Sequence, residues 1–300
     1  MFLFSIIVQL FHQLLLVYAS TEDDYSNKYQ YIAKIINNKN GKEIICSGTV
    51  LTVKRVLTVA DCVNGQPLNN PSVVVQYGLG KGAQNSSVLR IHFHHHFTEQ
   101  SPILWHICLL KLKYDLQFGG TNSLGNWVNI TNDIRTSKER IKVTALSFGR
   151  RSATDTYAKM TNILHLLLTV MDGPCPCFTR DETTLIYCSE KLKLNGRCGD
   201  DFSDAGGPVF NKNALEGILY ALYSDELCLP NRMEKTLAPC NANGYAVIIP
   251  ICVHKKWISS RVQVKHISFD DSCAKGNNVK KPNVLNIILF FLQSLLIKYL

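Results

Sequence analysis

Cys46-Ser47-Gly48-Thr49-Val50-Leu51, continuing to Leu57-Thr58-Val59-Ala60-Asp61-Cys62, spans two short runs, Ile44–Thr52 and Arg55–Ala60. Both are rich in β-branched and other apolar residues. Such side chains lose rotamer freedom in a helix and pack well on a pleated surface. The pattern continues on either side. Tyr31–Ile36, Ser72–Tyr77, Val88–Phe93, Ile107–Leu112, Ile141–Phe148, Ile163–Val170, Leu215–Leu222 and Tyr245–Ile251 are also short. They are rich in Val, Ile, Leu and Tyr, and Gly, Asn, Pro and Asp part them. Only Val253–Gln263 reads as a helix. Many short strands without interleaved long helices predict an all-β protein, either a sandwich or a pair of barrels.

Bulk properties narrow the class. A chain of 300 residues can bury a sizeable core in one large domain or two small ones. Charged residues make up 18% and apolar residues 46%, which excludes a disordered chain. Long apolar runs occur only at the two ends, which excludes a polytopic membrane protein. The formal net charge is +9, but no run of five Lys or Arg occurs, so nucleic acid is not an expected partner. Eleven cysteines point to an oxidising compartment.

The ends read as targeting segments. Residues 1–19 have the form of a secretory signal peptide. Phe2–Val17 is mostly apolar, and Val17 and Ala19 offer small residues where a signal peptidase reads, although a positive leading region is missing. A short segment, 20–28, precedes the main domain, 29–263. A spacer, 264–283, and an apolar tail, 284–300, follow. Asn286, Gln293 and Lys298 interrupt the tail, and its 17 residues are at the short limit for a membrane span. A spanning helix would put Lys280 and Lys281 on the wrong side for the positive-inside rule. A GPI signal fits better, with Ser272-Cys273-Ala274 as the small-residue attachment site and Gly276-Asn277-Asn278 as a second site with a shorter spacer, and an amphipathic helix is the third reading. Asn85-Ser86-Ser87 and Asn129-Ile130-Thr131 are N-glycosylation acceptors. Together these features place the chain outside the cell, secreted or anchored to the membrane by its tail.

Three ordered blocks resemble the trypsin-like, chymotrypsin-fold serine proteases. The opening stretch, Cys46 to Cys62, is similar to the family segment that ends in Ala-Ala-His-Cys. Trp105-His106-Ile107-Cys108-Leu109-Leu110-Lys111-Leu112 is similar to Asn-Asp-Ile-Ala-Leu-Leu-Lys-Leu. Ser203-Asp204-Ala205-Gly206-Gly207-Pro208 is similar to Gly-Asp-Ser-Gly-Gly-Pro. Gly244-Tyr245 through Cys252 to Trp257-Ile258 resembles the last strand and C-terminal helix of the family. The resemblance covers about Tyr29–Ser260 and implies two antiparallel six-stranded β-barrels with a C-terminal helix, the site lying between the barrels.

That chemistry needs a hydroxyl nucleophile, an imidazole to take its proton and a carboxylate to orient the imidazole. The resemblance sets Asp61 at the position of the imidazole, His106 at that of the carboxylate and Ala205 at that of the nucleophile. It sets Ser203 where a glycine amide of the oxyanion hole belongs. Cys198 precedes Ala205 by seven residues rather than four, so Gly199-Asp200-Asp201-Phe202 lengthen that loop. Gly196 takes the position that sets trypsin-type preference and offers no carboxylate. Tyr220-Ala221-Leu222 replaces the Ser-Trp-Gly of the substrate-pairing strand. Asp204 matches the carboxylate that pairs with a freed Ile or Val amine in active relatives, yet no Arg-Ile-Val-Gly-Gly occurs. Its expected role is a hydrogen-bonded turn carboxylate.

By the same resemblance, Cys46 pairs with Cys62, Cys188 with Cys175 or Cys177, and Cys198 with Cys228. Val143 and Asn211 stand at the two ends of a family bridge that is missing. Cys108, Cys240 and Cys252 stay unassigned, with Cys108 expected as a buried free thiol. His92, His94 and His96 would share one strand face and could ligate zinc or copper, but a solvated loop is the expected reading, with no metal and no cofactor. The sequence thus predicts a protease homologue without catalysis that acts on a protein partner such as an active protease, an inhibitor or a receptor. The alternative is an endopeptidase that uses other residues, for example Ser203 with His106.

Overall fold

The structure is a computed structural model. It describes residues 31–39, 41–78, 83–117, 129–130, 140–149, 163–170, 175–176, 178, 186–194, 202–212, 214–225 and 242–262. The two targeting segments, the spacer with Ser272, and Cys177, Gly196, Cys198, Cys228 and Cys240 lie outside the described residues.

Six strands close the first barrel: β1 (Ile32–Lys39), β2 (Lys42–Thr52), β3 (Arg55–Val59), β4 (Val73–Tyr77), β5 (Gln84–Phe93) and β6 (Ile107–Leu112). Their order is β1-β2-β3-β6-β5-β4, and β4 returns to β1 in antiparallel register, Ile35 opposite Val75. The alternation read from the sequence is what fills it. Val73, Val75 and Tyr77 turn inward while Val74 and Gln76 stay partly exposed. Val56, Leu57, Leu109 and Leu110 have no exposed surface. Burying each such side chain contributes roughly 1.5–3 kcal/mol.

The second sheet contains β7 (Asn129–Ile130), β8 (Ile141–Ser147), β9 (Leu164–Val170), β10 (Tyr187–Cys188), β11 (Leu192–Lys193), β12 (Pro208–Asn211), β13 (Ala214–Ser224) and β14 (Asn243–Pro250). Its path is β10-β14-β13-β12-β8-β9, with β11 on β14 and β7 parallel to β13. The expected second closed barrel is therefore an open eight-stranded half-barrel among the described residues. The physical reason is at its two edges. They meet through one bridge, Val170 opposite Ser189, and one further bond from Glu190 N–H to Thr169 C=O of 2.7 Å. Among the described residues no longer ladder joins β9 to β10. The short helix α1 (Lys255–Arg261) follows a single 3-10 turn, Cys252–His254.

The bridge Cys46–Cys62 ties β2 to the turn after β3, and Cys175–Cys188 resolves the choice left open for Cys188. Cys252 is also disulfide-bonded. Cys108 is a buried free thiol, and burial raises its pKa well above the ordinary thiol value. The β12–β8 register sets Val209 opposite Ala145 and Phe210 opposite Thr144, next to Asn211 and Val143, the two positions of the missing bridge.

Ser47 joins the two sheets. Its hydroxyl donates to Ser203 C=O at 2.7 Å and accepts from Phe148 N–H at 2.9 Å, while its own N–H donates to Ala205 C=O at 2.9 Å. Thr49 Oγ1 adds a bond to Gly206 C=O at 3.0 Å. Gly206 has φ +89, and a Cβ there would lie 2.2 Å from Ser47 C=O and 2.2 Å from Thr58 Oγ1. Only glycine fits. Gly206→Ala is expected to destabilise the fold by more than about 2 kcal/mol, read as a lower midpoint in urea unfolding; an unchanged midpoint would show that the clasp can relax.

Candidate functional site

The site is built where the 3-10 turn after β3, the segment before β6, and the turn before β12 meet. Asp61 lies in the turn Ala60–Cys62, His106 directly precedes β6, and Ala205 follows the turn Phe202–Asp204. Strand pairing brings the first two together: Val59 faces Ile107 across the β3–β6 ladder, and Ala60 N–H donates to His106 C=O at 3.0 Å.

His106 is held at both ring nitrogens. Nδ1 lies 2.8 Å from Asp61 Oδ2, and Nε2 lies 2.9 Å from Ser101 C=O. A carbonyl oxygen only accepts, so Nε2 must carry hydrogen. Nδ1 then donates to an ionised Asp61 or accepts from a protonated one. Burial opposes the charged ring, but the Asp61 hydrogen bond, its charge and the Ser101 carbonyl outweigh burial, and the pKa is raised above the usual imidazole value. Both ring nitrogens are thus engaged, with none left free to face the cleft.

Tyr220 completes the cluster. It is the extra residue of a bulge, since Leu219 pairs with Ile248 and Ala221 with Val247. Its ring meets His106 edge-on at 5.9 Å and its phenol reaches Asp61 and Tyr223. Burial first, then the Asp61 charge, raises the Tyr220 and Tyr223 pKa values far above normal. Tyr220 has one proton to give, and the carboxylate is the stronger acceptor. The Tyr220 phenol thus lies between Asp61 and Tyr223, and His106 meets Asp61 from the other side. Sequence reading noted Tyr220 only as a lost serine. A bulge is set by the pairing of two strands and leaves no local signal.

Ala205 is 1% exposed and Ser203 is fully buried. Gly206 N–H donates to Leu219 C=O at 2.7 Å, and Leu219 N–H donates to Gly207 C=O at 2.8 Å. These bonds staple the Gly206-Gly207 turn to β13. Asp204 is buried and accepts from the Ser147 hydroxyl. Its carboxylate lies against Gly149, where a Cβ would come within 2.1 Å of Oδ1.

The histidine tract differs from its expected geometry. β5 ends at Phe93, so His94–His96 form a turn, and His92, His94 and His96 do not share a strand face. His94 is not solvated either. It is buried, stacked on Trp105 at 4.9 Å and packed on His254 and Trp257 at 5.1 Å each. No cluster with metal-ligating geometry occurs among the described residues. Neither ring nitrogen of His254, nor Trp257 Nε1, makes a hydrogen bond of normal geometry. The Leu104 backbone lies near enough to favour the charged His254 ring slightly, but burial dominates. Asn85 is exposed on β5, as a glycan acceptor must be, and Asn129 lies on β7. Among the described residues, no helix is long and apolar enough to cross a membrane.

The family profile described as Trypsin matches residues 19–258. The chain belongs to the trypsin family. No curated protein matches it. Solved structures of this fold include scabies mite inactivated protease paralogue S-I1, at 16% identity and TM-score 0.56, covering 79% of this chain and 96% of that one. Neuropsin, a serine protease expressed in the limbic system of mouse brain, matches at 18% identity and TM-score 0.55, covering 78% and 95%. HL collagenase matches at 20% identity and TM-score 0.56, covering 79% and 95%. At these identities the likeness shows the fold alone. Trypsin-family domains with disulfides are typical of extracellular proteins, which agrees with the cysteine content.

Two opposite pH dependences follow from the imidazoles. Burial, then neighbouring imidazoles, lowers His94 to about 4 and His254 to about 3. The unfolded chain takes up these protons near 6.5, so their contribution is present above that pH and is lost as pH falls toward about 3. His106 has the opposite sign. Its contribution is full below 6.5 and is lost as pH rises through its raised pKa. Chemical denaturation across pH 4–9 is expected to show a maximum near neutrality. His106→Asn should flatten the alkaline limb and leave the acid limb unchanged; an unaltered alkaline limb would contradict the ion pair.

Proposed function

We propose that this trypsin-family chain is catalytically inactive and acts by binding a protein partner, such as an active protease, an inhibitor or a receptor, outside the cell. The observation that carries the reading is the state of His106, which uses both ring nitrogens on Asp61 and Ser101. A general base needs a free ring nitrogen within reach of the proton it removes. The residue at the nucleophile position supports the same conclusion, because the methyl group of Ala205 cannot attack a carbonyl.

The alternative, an endopeptidase working through Ser203 and His106, finds little support. Ser203 is fully buried, and its backbone oxygen is taken by Ser47. Meanwhile the framework of the site is kept: Asp204 is hydrogen-bonded, Gly206 is clasped, and Cys46–Cys62 is closed. Retained scaffold with altered chemistry suits a surface that grips without cutting. A structure described as an inactivated protease paralogue has the same fold, so the fold is compatible with such a state. With Ala205, His106 and Tyr220 each under a tenth exposed, the partner would engage the rim of the cleft rather than its floor.

Ala205→Ser alone is expected to restore no amidase activity, because the imidazole remains locked behind Asp61. Removing a triad typically costs on the order of 10⁶ in turnover. The check is hydrolysis of a peptide amide panel together with fluorophosphonate labelling of the wild type and the variant. Labelling of Ser203, or turnover by the variant that scales with its concentration, would overturn the reading.

A further inference from the structure

A groove of about 470 Å³ lies on the side of the first barrel, between the β2–β3 turn, β6 and the end of α1. Lys54, Arg55, Lys111 and Arg261 line it, with Thr52 and Ser260 as neutral polar groups. Lys54 pairs with Asp115 at 2.9 Å, both about half exposed. Among the described residues, no carboxylate pairs with Arg55, Lys111 or Arg261. Arg90 adds a further cation from β5. It acts with Arg261, Arg55 and Lys111 on the neighbouring His92, where burial first and these charges next lower the imidazole to about 4. Four elements thus aim positive charge at one place.

Like charges gathered without counter-charge repel one another, and the arrangement is relieved by a bound anion. Part of the array is already fixed. Arg55 Nε donates to Arg261 C=O at 3.4 Å and Arg55 Nη1 to Lys54 C=O at 3.3 Å, which holds the guanidinium plane against the helix end. Three of its five donors have no acceptor among the described residues. A guanidinium fork matches the two oxygens of a sulfate or carboxylate, which a lysine ammonium cannot do.

We propose that this groove binds the sulfate and carboxylate groups of a sulfated polysaccharide chain. The groove is the size of a small-molecule site, well beyond one tetrahedral ion. Its cations are spread over several elements, so successive anions on one chain are needed to satisfy them. A saccharide presents sulfates, carboxylates and hydroxyls on a stiff backbone, matching the fixed Arg55 fork beside Thr52 and Ser260. An acidic peptide offers carboxylates alone and loses more conformational entropy on ordering. The inference is independent of the inactive reading and takes from it only the extracellular placing. Cleavage activity, if found, would leave the groove untouched.

The test is titration of the full chain with heparin at about 0.15 M salt, where long-range attraction is screened beyond roughly 8 Å. The variant Lys111→Glu with Arg261→Glu is compared with Lys142→Glu and Lys193→Glu, an equal charge change on the second sheet. The groove variant is expected to raise Kd at least tenfold and to elute from immobilised heparin at clearly lower salt. The control pair should change Kd less than threefold. Equal losses in both pairs would assign binding to overall charge and overturn the proposal. Polyglutamate of matched charge should bind at least tenfold more weakly than heparin; equal affinity would reassign the groove to an acidic peptide. If the double variant does not fold, Arg261→Gln at the exposed helix end serves instead, with a Kd increase of at least threefold expected and no change overturning the idea.

Discussion

The hydroxyl of Ser47 is the smallest group in the molecule on which the most depends. It sits on β2 of the closed barrel, yet it gives its proton to Ser203 and accepts one from Phe148, both belonging to the other sheet. A buried hydroxyl that both donates and accepts leaves no desolvation cost unmet. Around it the backbone bonds of Ala205 and Gly206 fall into place, and Gly206 takes its positive φ because it has no Cβ to meet Ser47 C=O and the Thr58 hydroxyl. The turn that carries Ala205 is therefore held by the other barrel. The framework around Ala205 is therefore tied to the contact between the two halves of the fold.

Within that framework, polar groups have closed on one another. Asp61 collects hydrogen bonds from His106 and Tyr220, and His106 spends its second nitrogen on Ser101. In a reactive site some of these groups must remain unsatisfied until substrate arrives. Here the arrangement satisfies each of them and lowers the free energy of the folded state instead. The same holds for Asp204, which meets the Ser147 hydroxyl from within the chain. Stability and reactivity compete for the same hydrogen bonds.

The fold was legible because strands depend on local composition. Ten apolar runs each formed a strand, with ends shifted by a few residues. The strands that were missed, β7, β10, β11 and β12, are two to four residues long and too short to show a period of two. At the site, the approach of Asp61 and His106 was readable, as were Cys46–Cys62 and the buried thiol of Cys108. What sequence could not show was direction. The turn that ends β5 at Phe93 sent His94 into an aromatic core beside Trp105 and Trp257. The Tyr220 bulge likewise depends on the pairing of β13 with β14, remote in sequence from Asp61.

Charge scattered along a sequence can converge in space, and the basic groove is the clearest case. Lys54, Arg55, Lys111 and Arg261 come from three places in the chain, none of them part of a basic run. Barrel closure sets β3 beside β6, with Arg55 directly opposite Lys111. The helix end then lays Arg261 across them, close enough for its carbonyl to hold Arg55. None of this geometry passes through Asp61, His106 or Ala205. A chain whose cleft has closed on itself can still present charge from the barrel wall, because the same strand register that positions the altered site also assembles the groove beside it.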